Sequence, residues 1–257
     1  MNLSALILTK DEEEVIEDCL KQLKFVDEII VLDQNSKDKT LQIAQKYTQK
    51  IYTTSNTEFG KNRNQLSSLA KGKWLLYLDA DERIQDAQVE QIKKAIRNND
   101  YSAYFFPRKN FILGKWLKHG GWWPDYVPRL FKKDQLIKWT GEVHESPQIH
   151  GNFGYINSPI DHLTARSMTK MFLKTTKWAK VEAKLYYKAG HPKVNVLRVI
   201  KVLLLEFTNR YLVKFGFLDG VIGLIESIFQ SLHKSIILVY LWELQNKTLV
   251  TKKTIKK

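Results

Sequence analysis

The chain has a single cysteine, Cys19, in 257 residues. It therefore cannot form an intramolecular disulfide, and it cannot build a zinc site from paired cysteines. Cys19 lies within a helical pattern, where a small buried apolar residue fits well. The cysteine content gives no indication of an oxidising compartment.

Several common motifs and segments are also missing. The sequence has no Gly-x-Gly-x-x-Gly motif, no Walker loop and no nucleophile elbow. Dehydrogenase, nucleoside triphosphatase and serine hydrolase functions therefore have no support. No charge-free apolar run approaches the roughly 18 residues of a membrane-spanning helix. The N-terminal segment 1–9 lacks the basic start and long apolar core of a signal peptide. We therefore expect a cytoplasmic or peripheral protein.

Positive charge is in excess. The formal net charge is +14 at pH 7, which predicts a polyanionic partner: nucleic acid, an anionic membrane surface or a phosphorylated substrate. Apolar residues make up 44% of the chain and aromatic residues 12%, which excludes wholesale disorder. The length suffices for one full-sized domain and an appendage.

Strand-like and helix-like segments alternate in the first part of the chain. Apolar strand patterns cover residues 3–8, 28–32, 51–52, 74–78 and 101–107, and helical patterns lie between them. Short connections between alternating elements predict an α/β fold whose mostly parallel sheet is covered on both faces. Residues 111–151 are irregular and rich in Trp, Gly and His, as binding and catalytic segments tend to be.

From Ser167 onward the chain is predicted to be helical, with Thr164 or Ser167 as the N-cap. The predicted helices 194–213 and 221–242 each carry an apolar stripe beside a polar, largely basic one. Such helices either lie in a membrane interface or pack on a domain. Two of them in a chain of high positive charge favour the membrane.

The strand at 74–78 ends abruptly at two carboxylates, Asp79 and Asp81. Ligands bind at the carboxyl edge of open α/β sheets. Carboxylates two residues apart on extended chain project the same way, so together they suit one hard divalent ion. This predicts metal-assisted handling of a diphosphate, while a helix N-cap is the alternative role for Asp81.

Three segments resemble family 2 of the inverting GT-A glycosyltransferases: residues 9–13, 33–40 and 78–82. In the second segment the family usually has two glycines, and this chain has Asn35 and Lys39 instead. Asparagine tolerates left-handed backbone, so the turn can survive at Asn35, whereas Lys39 is the larger departure.

Further segments resemble the bacterial lipopolysaccharide-core β-glucosyltransferase branch: residues 123–131, 141–145, 161–164 and 215–220. Together they cover nearly the whole chain. The resemblance implies a GT-A fold, Rossmann-like, with a C-terminal amphipathic helical region. It divides the chain into a nucleotide-sugar-binding catalytic domain, residues 1–165, and a helical, membrane-associating region, residues 166–257.

The resemblance also implies roles for single residues. Asp81 is expected to bind Mg²⁺ or Mn²⁺, and His162 either binds the metal, contacts the diphosphate or is structural. Arg129 is expected to contact phosphate or brace Glu145, and a solvated helix face is the alternative for Arg63. The catalytic base is Glu145, with Asp125 in reserve. The residues implied for the nucleotide site are Thr9, Glu12, Asp33, Arg63, Asn64, Asp79 and Arg129.

The implied function is transfer of a hexose, with glucose from UDP-glucose as the expected donor, onto an inner-core sugar of lipopolysaccharide. The enzyme would be peripheral on the cytoplasmic face of the inner membrane. One alternative is another cell-surface acceptor, a capsule or lipid-linked glycan. From a different class, a basic nucleic-acid-binding protein would also account for the charge, although no nucleic-acid motif is present.

Overall fold

The computed structural model describes residues 2–98, 100–141 and 145–246. The chain forms two compact units: residues 1–109 with 124–163, and residues 110–123 with 164–257. The third crossing between units, after Leu163, lies close to the predicted boundary at 165. The segment 110–123, predicted to belong to the first domain, clusters with the second unit instead.

Four parallel strands organise the first unit, in the order β3-β2-β1-β4. They are β1 (Leu3–Thr9), β2 (Glu28–Asp33), β3 (Ile51–Thr53) and β4 (Trp74–Asp79). The helices around them are α1 (Ile16–Lys21), α2 (Thr40–Ala44), α3 (Phe59–Leu69) and α4 (Asp86–Arg97). The predicted α/β fold with a mostly parallel sheet and flanking helices is confirmed.

The sheet continues beyond β4 in the order β4-β8-β6-β12-β5, in which β8 is antiparallel to β4 and to β6, and β12 is antiparallel to β5. These are β5 (Glu82–Arg83), β6 (Ala103–Ile112), β8 (Asp125–Lys132) and β12 (Ile160–Ala165). β6 also pairs with the short strands β7 (Lys115–Trp116) and β11 (Phe153–Tyr155). A separate hairpin joins β9 (Leu136–Thr140) to β10 (Ser146–Ile149).

Burial on both faces explains the unbroken apolar runs of the central strands. In β1, Ile7 belongs to one core cluster and Leu6 to the other. In β4, Leu76 and Tyr77 divide in the same way. Because successive strand residues point to opposite faces, a strand covered on both sides is apolar throughout.

The second unit is mainly helical. Its elements are α5 (Met168–Lys188), α6 (Val196–Thr208), a π-helical segment (Asn209–Val213), a 3₁₀ turn (Gly216–Asp219) and α7 (Gly220–Gln245). The hydroxyl of Ser167 accepts a hydrogen bond from the backbone N–H of Lys170, which confirms Ser167 as the N-cap of α5. Gly190 and Pro192 lie in the connection between α5 and α6.

By length and composition, the segment Gly216–Gln245 could cross a membrane, although 44% of its most apolar window is buried inside the protein. The sequence prediction missed this segment because it required a run without charges. Glu226 and Lys234 interrupt this one. A partly buried apolar helix is equally typical of a protein core.

Candidate active site

The carboxyl ends of β1, β2 and β4 bring three predicted site residues to one edge of the sheet. Thr9 is aligned with Asp33 on β2, and the adjacent Leu8 is aligned with Asp79 on β4. The Thr9 hydroxyl is buried and has no hydrogen-bond partner among the described residues. An unpaired buried hydroxyl is costly, so its presence at this edge suits a polar ligand.

Asp33 is fully buried and shapes the loop after β2. Its two carboxylate oxygens accept hydrogen bonds from the Ser36 backbone N–H (2.8 Å) and the Ser36 hydroxyl (2.5 Å). Asn35 has a φ of 56°, so the predicted left-handed turn is confirmed. Lys39 has a φ of −82°, where a side chain causes no strain, so the second missing glycine does not disturb the backbone.

This loop is tied to the segment that follows β1. The Ser36 hydroxyl accepts a hydrogen bond from the backbone N–H of Asp11, and the Thr40 hydroxyl accepts one from the backbone N–H of Glu12. The backbone N–H of Lys39 donates to the Glu13 carboxylate at 2.9 Å. The first two family-like segments therefore form one hydrogen-bonded structure.

Arg63, on α3, is buried between two carboxylates. Its Nε donates to Glu145 Oε1 at 2.9 Å, and its Nη2 donates to Asp79 Oδ1 at 3.2 Å. The guanidinium also lies over the Trp139 ring, 4.9 Å from the centroid. The alternative of a solvated helix face for Arg63 is therefore wrong, because packing of α3 turns this side chain inward.

Two further arginines extend the arrangement. Arg129 Nη2 donates to Asp79 Oδ2 and to Glu82 Oε1, both at 2.6 Å. Arg108 Nη1 lies 3.5 Å from Glu82 Oε1, and its Nε and Nη2 contact Asp125 Oδ2 at 2.9 and 2.7 Å. Arg63, rather than Arg129, thus contacts Glu145.

The result is a continuous charge network, in which carboxylates and guanidiniums alternate. In order, its members are Glu145, Arg63, Asp79, Arg129, Glu82, Arg108 and Asp125. The two candidate catalytic bases occupy its two ends. Both are partly accessible, with 17% of the Glu145 side chain and 28% of the Asp125 side chain exposed. The remainder of the Glu145 motif, residues 142–144, lies outside the described part of the chain.

The interior of the network stays charged. Burial by itself would raise the pKa of Asp79, but the guanidiniums of Arg129 and Arg63 outweigh it and hold that pKa well below its usual range. Burial would lower the pKa of Arg129, and the Asp79 and Glu82 carboxylates raise it instead. Both oxygens of Asp79 accept hydrogen bonds from arginines, whereas the sequence predicted that Asp79 and Asp81 together suit one divalent ion.

Asp81 and His162 form a second, separate pair. His162 Nε2 lies 3.5 Å from Asp81 Oδ2, and both residues are buried. The antiparallel pairing of β5 with β12 brings them together, because Glu82 is aligned with His162. The capping role for Asp81 is wrong, since Gln85 caps α4 in a capping box with Gln88.

The side chain of Asn64 contacts β9. Its side-chain amide donates to the Trp139 carbonyl at 2.9 Å and accepts from the Trp139 backbone N–H at 2.8 Å. These two bonds fasten α3 to β9. The structure thus shows a structural contact of Asn64, and its predicted contact with the nucleotide stays a prediction.

Two members of the charge network, Glu82 and Arg108, were not predicted as site residues. Glu82 directly follows Asp81 in a family-like segment, and this adjacency was the available signal. Arg108 lies between Pro107 and Lys109 in β6 and carried no signal. Its contact with Asp125 depends on the register of β6 against β8, where the two residues are aligned.

Comparison with known proteins assigns the chain. The model of the family described as "Glycosyl transferase family 2" matches residues 4–164, which include the charge network, the Asp33 loop and the Asp81–His162 pair. The chain belongs to glycosyl transferase family 2.

Individual relatives of this family 2 protein are distant or partial. A TPR repeat-containing protein of Synechococcus elongatus is 40% identical over 150 residues, 56% of this chain but 34% of that protein, so the chain spans about a third of its length. The lipopolysaccharide core biosynthesis glycosyltransferase LpsC of Rhizobium meliloti is 24% identical over 202 residues, 73% of each chain.

Among solved structures, the chain is similar to glucosyl-3-phosphoglycerate synthase from Mycobacterium tuberculosis, in complex with Mn²⁺ and UDP-glucose. The TM-score is 0.47 at 14% identity, and the alignment covers 75% of this chain and 80% of that one.

The donor set of the Asp81–His162 pair fits a divalent cation. Within the described residues, no group of three or more His, Cys, Asp or Glu side chains could hold a metal ion. One carboxylate oxygen and one imidazole nitrogen in proximity match an ion that takes its other ligands from phosphate and water. Asp79 is not part of this donor set, because its oxygens are engaged by arginines.

Proposed function

We propose that the protein is an inverting glycosyltransferase that moves glucose from UDP-glucose onto an inner-core sugar of lipopolysaccharide. It would work peripherally at the cytoplasmic face of the inner membrane. Family membership supports sugar transfer, and the likeness to LpsC supports the lipopolysaccharide acceptor. The observation that carries the proposal is the convergence, in the first unit, of the Asp33 loop, the Asp81–His162 pair and Glu145 held by Arg63.

Each part suits one requirement of the reaction. The buried Asp33 carboxylate and the unpaired Thr9 hydroxyl suit recognition of the nucleoside. Asp81 and His162 would hold a divalent cation, which when bound neutralises the charge that develops on the leaving diphosphate. The Arg63 guanidinium orients Glu145 and keeps its carboxylate at a defined position.

Glu145 is assigned as the base. It would accept the proton of the acceptor hydroxyl as the acceptor oxygen bonds to the anomeric carbon of the sugar. The bond from that carbon to the diphosphate oxygen breaks on the opposite face, which inverts the anomeric configuration. Asp125, at the other end of the charge network, is the second candidate for this proton transfer.

The test measures UDP binding by calorimetry and sugar transfer by UDP release, for the wild type and three variants. Asp81→Ala is expected to lose Mn²⁺-dependent UDP binding. Glu145→Gln is expected to keep that binding and to lose turnover by about 10²- to 10⁴-fold. Glu90→Gln is the matched control, because Glu90 is exposed on α4 and its carboxylate pairs with the exposed Lys93.

Three outcomes would change the proposal. Unchanged transfer by Glu145→Gln removes Glu145 as the base and directs the same test to Asp125. Release of UDP only with a capsule or lipid-linked acceptor changes the acceptor class. Tight, salt-dependent binding of a duplex oligonucleotide, without any UDP binding, would overturn the proposal in favour of nucleic-acid binding.

A further inference from the structure

Helix α6 presents apolar side chains to solvent. None of its 13 residues is buried. Val196, Leu197, Ile200, Leu204 and Leu205 are 48% to 77% exposed, and we call them the outer face of α6. Val196, Ile200 and Leu204 recur every four residues, so they share one side of the helix. A helix that only packed on a core would turn this stripe inward.

The opposite side of α6 is already used. Val199 and Val202 pack against a buried cluster that includes Ala179 of α5 and Ile237 of α7. The helix is therefore apolar on two sides, and its internal packing accounts for only one of them. The outer face has no partner in the described residues of the second unit.

The apolar exposure continues past the end of α6 in residues 212–218, which we call the apolar turn. Its side chains Leu212, Val213, Phe215, Phe217 and Leu218 are 43% to 64% exposed. Phe215 has a φ of 57°, a left-handed backbone conformation that is unfavourable for a bulky residue. Strain of this kind persists where the surrounding structure enforces it, and it often marks a functional segment.

The apolar turn reverses the usual distribution of polar and apolar groups. The carboxylate of the following Asp219 is buried and accepts hydrogen bonds from the backbone N–H groups of Lys118 and His119. Gly216 is buried so closely against the Arg210 carbonyl that an added Cβ would lie 2.7 Å from it. The turn is thus anchored from within by polar groups while its phenyl and isobutyl groups face outward.

The charges in this part of the chain are mostly positive. Residues 194–221 contain four basic residues, Arg198, Lys201, Arg210 and Lys214, and only two acidic ones, Glu206 and Asp219. Glu206 pairs with Arg210 at 2.6 Å, and Asp219 is buried. Lys201 and Lys214 are exposed among the apolar side chains. The surface therefore combines apolar area with positive charge.

We propose that the outer face of α6 and the apolar turn together form an interfacial membrane-binding surface, which lies in the headgroup region of an anionic bilayer. Lysines beside exposed leucine and phenylalanine match such an interface, in which the apolar groups enter the acyl boundary and the ammonium groups meet phosphate. Lysine is depleted in protein–protein interfaces, which disfavours a second copy of the chain. With 13 residues, α6 is about 20 Å long, too short to span a bilayer.

This inference rests on the proposed function only for its purpose, access to a membrane-embedded acceptor. Vesicle binding requires neither donor nor acceptor. The membrane-binding proposal and the proposed glycosyl transfer can therefore fail separately. The experiment is flotation of the full chain with vesicles of phosphatidylcholine, with and without phosphatidylglycerol. The wild type is expected to bind the vesicles that contain phosphatidylglycerol, and more weakly as salt is raised.

Substitutions locate the surface. Leu204→Asp and Leu218→Asp are each expected to weaken vesicle binding by about tenfold or more, since each places a charge where an exposed leucine would enter the acyl boundary. Lys201→Gln with Lys214→Gln is expected to reduce the preference for anionic lipid. Ile137→Asp is the matched control, because Ile137 is similarly exposed, at 51%, on β9 of the first unit. Circular dichroism and UDP binding check that each variant is folded.

Two results would overturn the inference. Equal vesicle binding by the wild type, Leu204→Asp and Leu218→Asp would place membrane binding elsewhere or show that it is absent. Concentration-dependent self-association in light scattering, abolished by Leu218→Asp and accompanied by no vesicle binding, would identify the surface as an interface between two copies.

Discussion

The two units place charged and apolar side chains in opposite ways. In the first unit, Arg63, Arg129 and Glu82 are buried, and each is paired with a group of opposite charge. In the second unit, leucine and phenylalanine side chains of α6 and the apolar turn are exposed. Each arrangement is unfavourable unless something offsets it.

The interactions that could compensate these two arrangements differ between the units. Buried charges in the first unit are compensated within the protein by the alternating charge network. Exposed apolar groups in the second unit have no such compensation among the described residues. The difference agrees with the two proposals, in which the first unit acts on a ligand and the second binds a surface outside itself.

The largest effect is expected from breaking the centre of the charge network. Glu82→Ala leaves Arg129 buried without one of its two carboxylates and removes the acceptor of the Asp79 backbone N–H. We expect a loss of about 3–5 kcal/mol in the free energy of unfolding, measured with urea. The exposed Glu90→Ala is the control and should cost less than about 0.5 kcal/mol. Similar values for both would show that the network contributes little to stability.

The pH dependence of stability should have opposite signs in the two units. Burial raises the pKa of Glu226 in the second unit from 4.5 to about 7. Between these values the folded state holds a proton that the unfolded state has lost, so stability falls as pH rises through this window, by up to about 3 kcal/mol. The lowered pKa of Asp79 acts the other way, because its contribution is lost as pH falls below 3.8.

Glu226→Gln isolates the part of the pH dependence of stability that is due to Glu226 in the second unit. Urea unfolding of wild type and variant at about pH 5 and about pH 8 should show that the wild type loses stability relative to the variant at the higher pH. A constant difference between the two proteins across this range would contradict the assignment to Glu226.

Asn64→Ala tests whether Asn64 stabilises the structure around the site or contacts the nucleotide. Loss of two hydrogen bonds to the Trp139 backbone is expected to cost about 1–3 kcal/mol in unfolding free energy. UDP affinity of the folded variant should be unchanged, because both amide groups are engaged by β9. The neighbouring exposed Gln65→Ala is the control, and a selective loss of UDP affinity in Asn64→Ala would restore its predicted nucleotide contact.

The smallest effect concerns the strained Phe215. Large-to-small changes normally destabilise, but Phe215→Gly removes an exposed ring and relieves a left-handed backbone. We expect unfolding free energy to stay constant or rise by up to about 1 kcal/mol, while binding to phosphatidylglycerol vesicles weakens. In the first unit, Asn35→Gly serves as the comparison, and we expect little change in its unfolding free energy. A clear destabilisation by Phe215→Gly would show that the ring is needed for packing.

Local patterns predicted much of the first unit and one helix cap of the second. The apolar runs of β1 and β4, the turn at Asn35 and the Ser167 cap all depend on residues close in the chain, and all are present. Residues whose contacts depend on strand register or helix rotation were predicted less well. Asn64 was assigned to the nucleotide, Arg63 was left between two roles, and Glu82 and Arg108 were not assigned.

The sequence by itself determined the order of strands and helices, the carboxylates at the end of β4 and the amphipathic pattern of α6, because hydrophobic periodicity and turn chemistry are local. Only the tertiary structure decided that Arg63 joins Glu145 to Asp79, that Asp81 meets His162, and that α6 keeps an apolar face outside. These are pairings between distant residues. They are chosen by packing of whole elements, which no short stretch of sequence specifies.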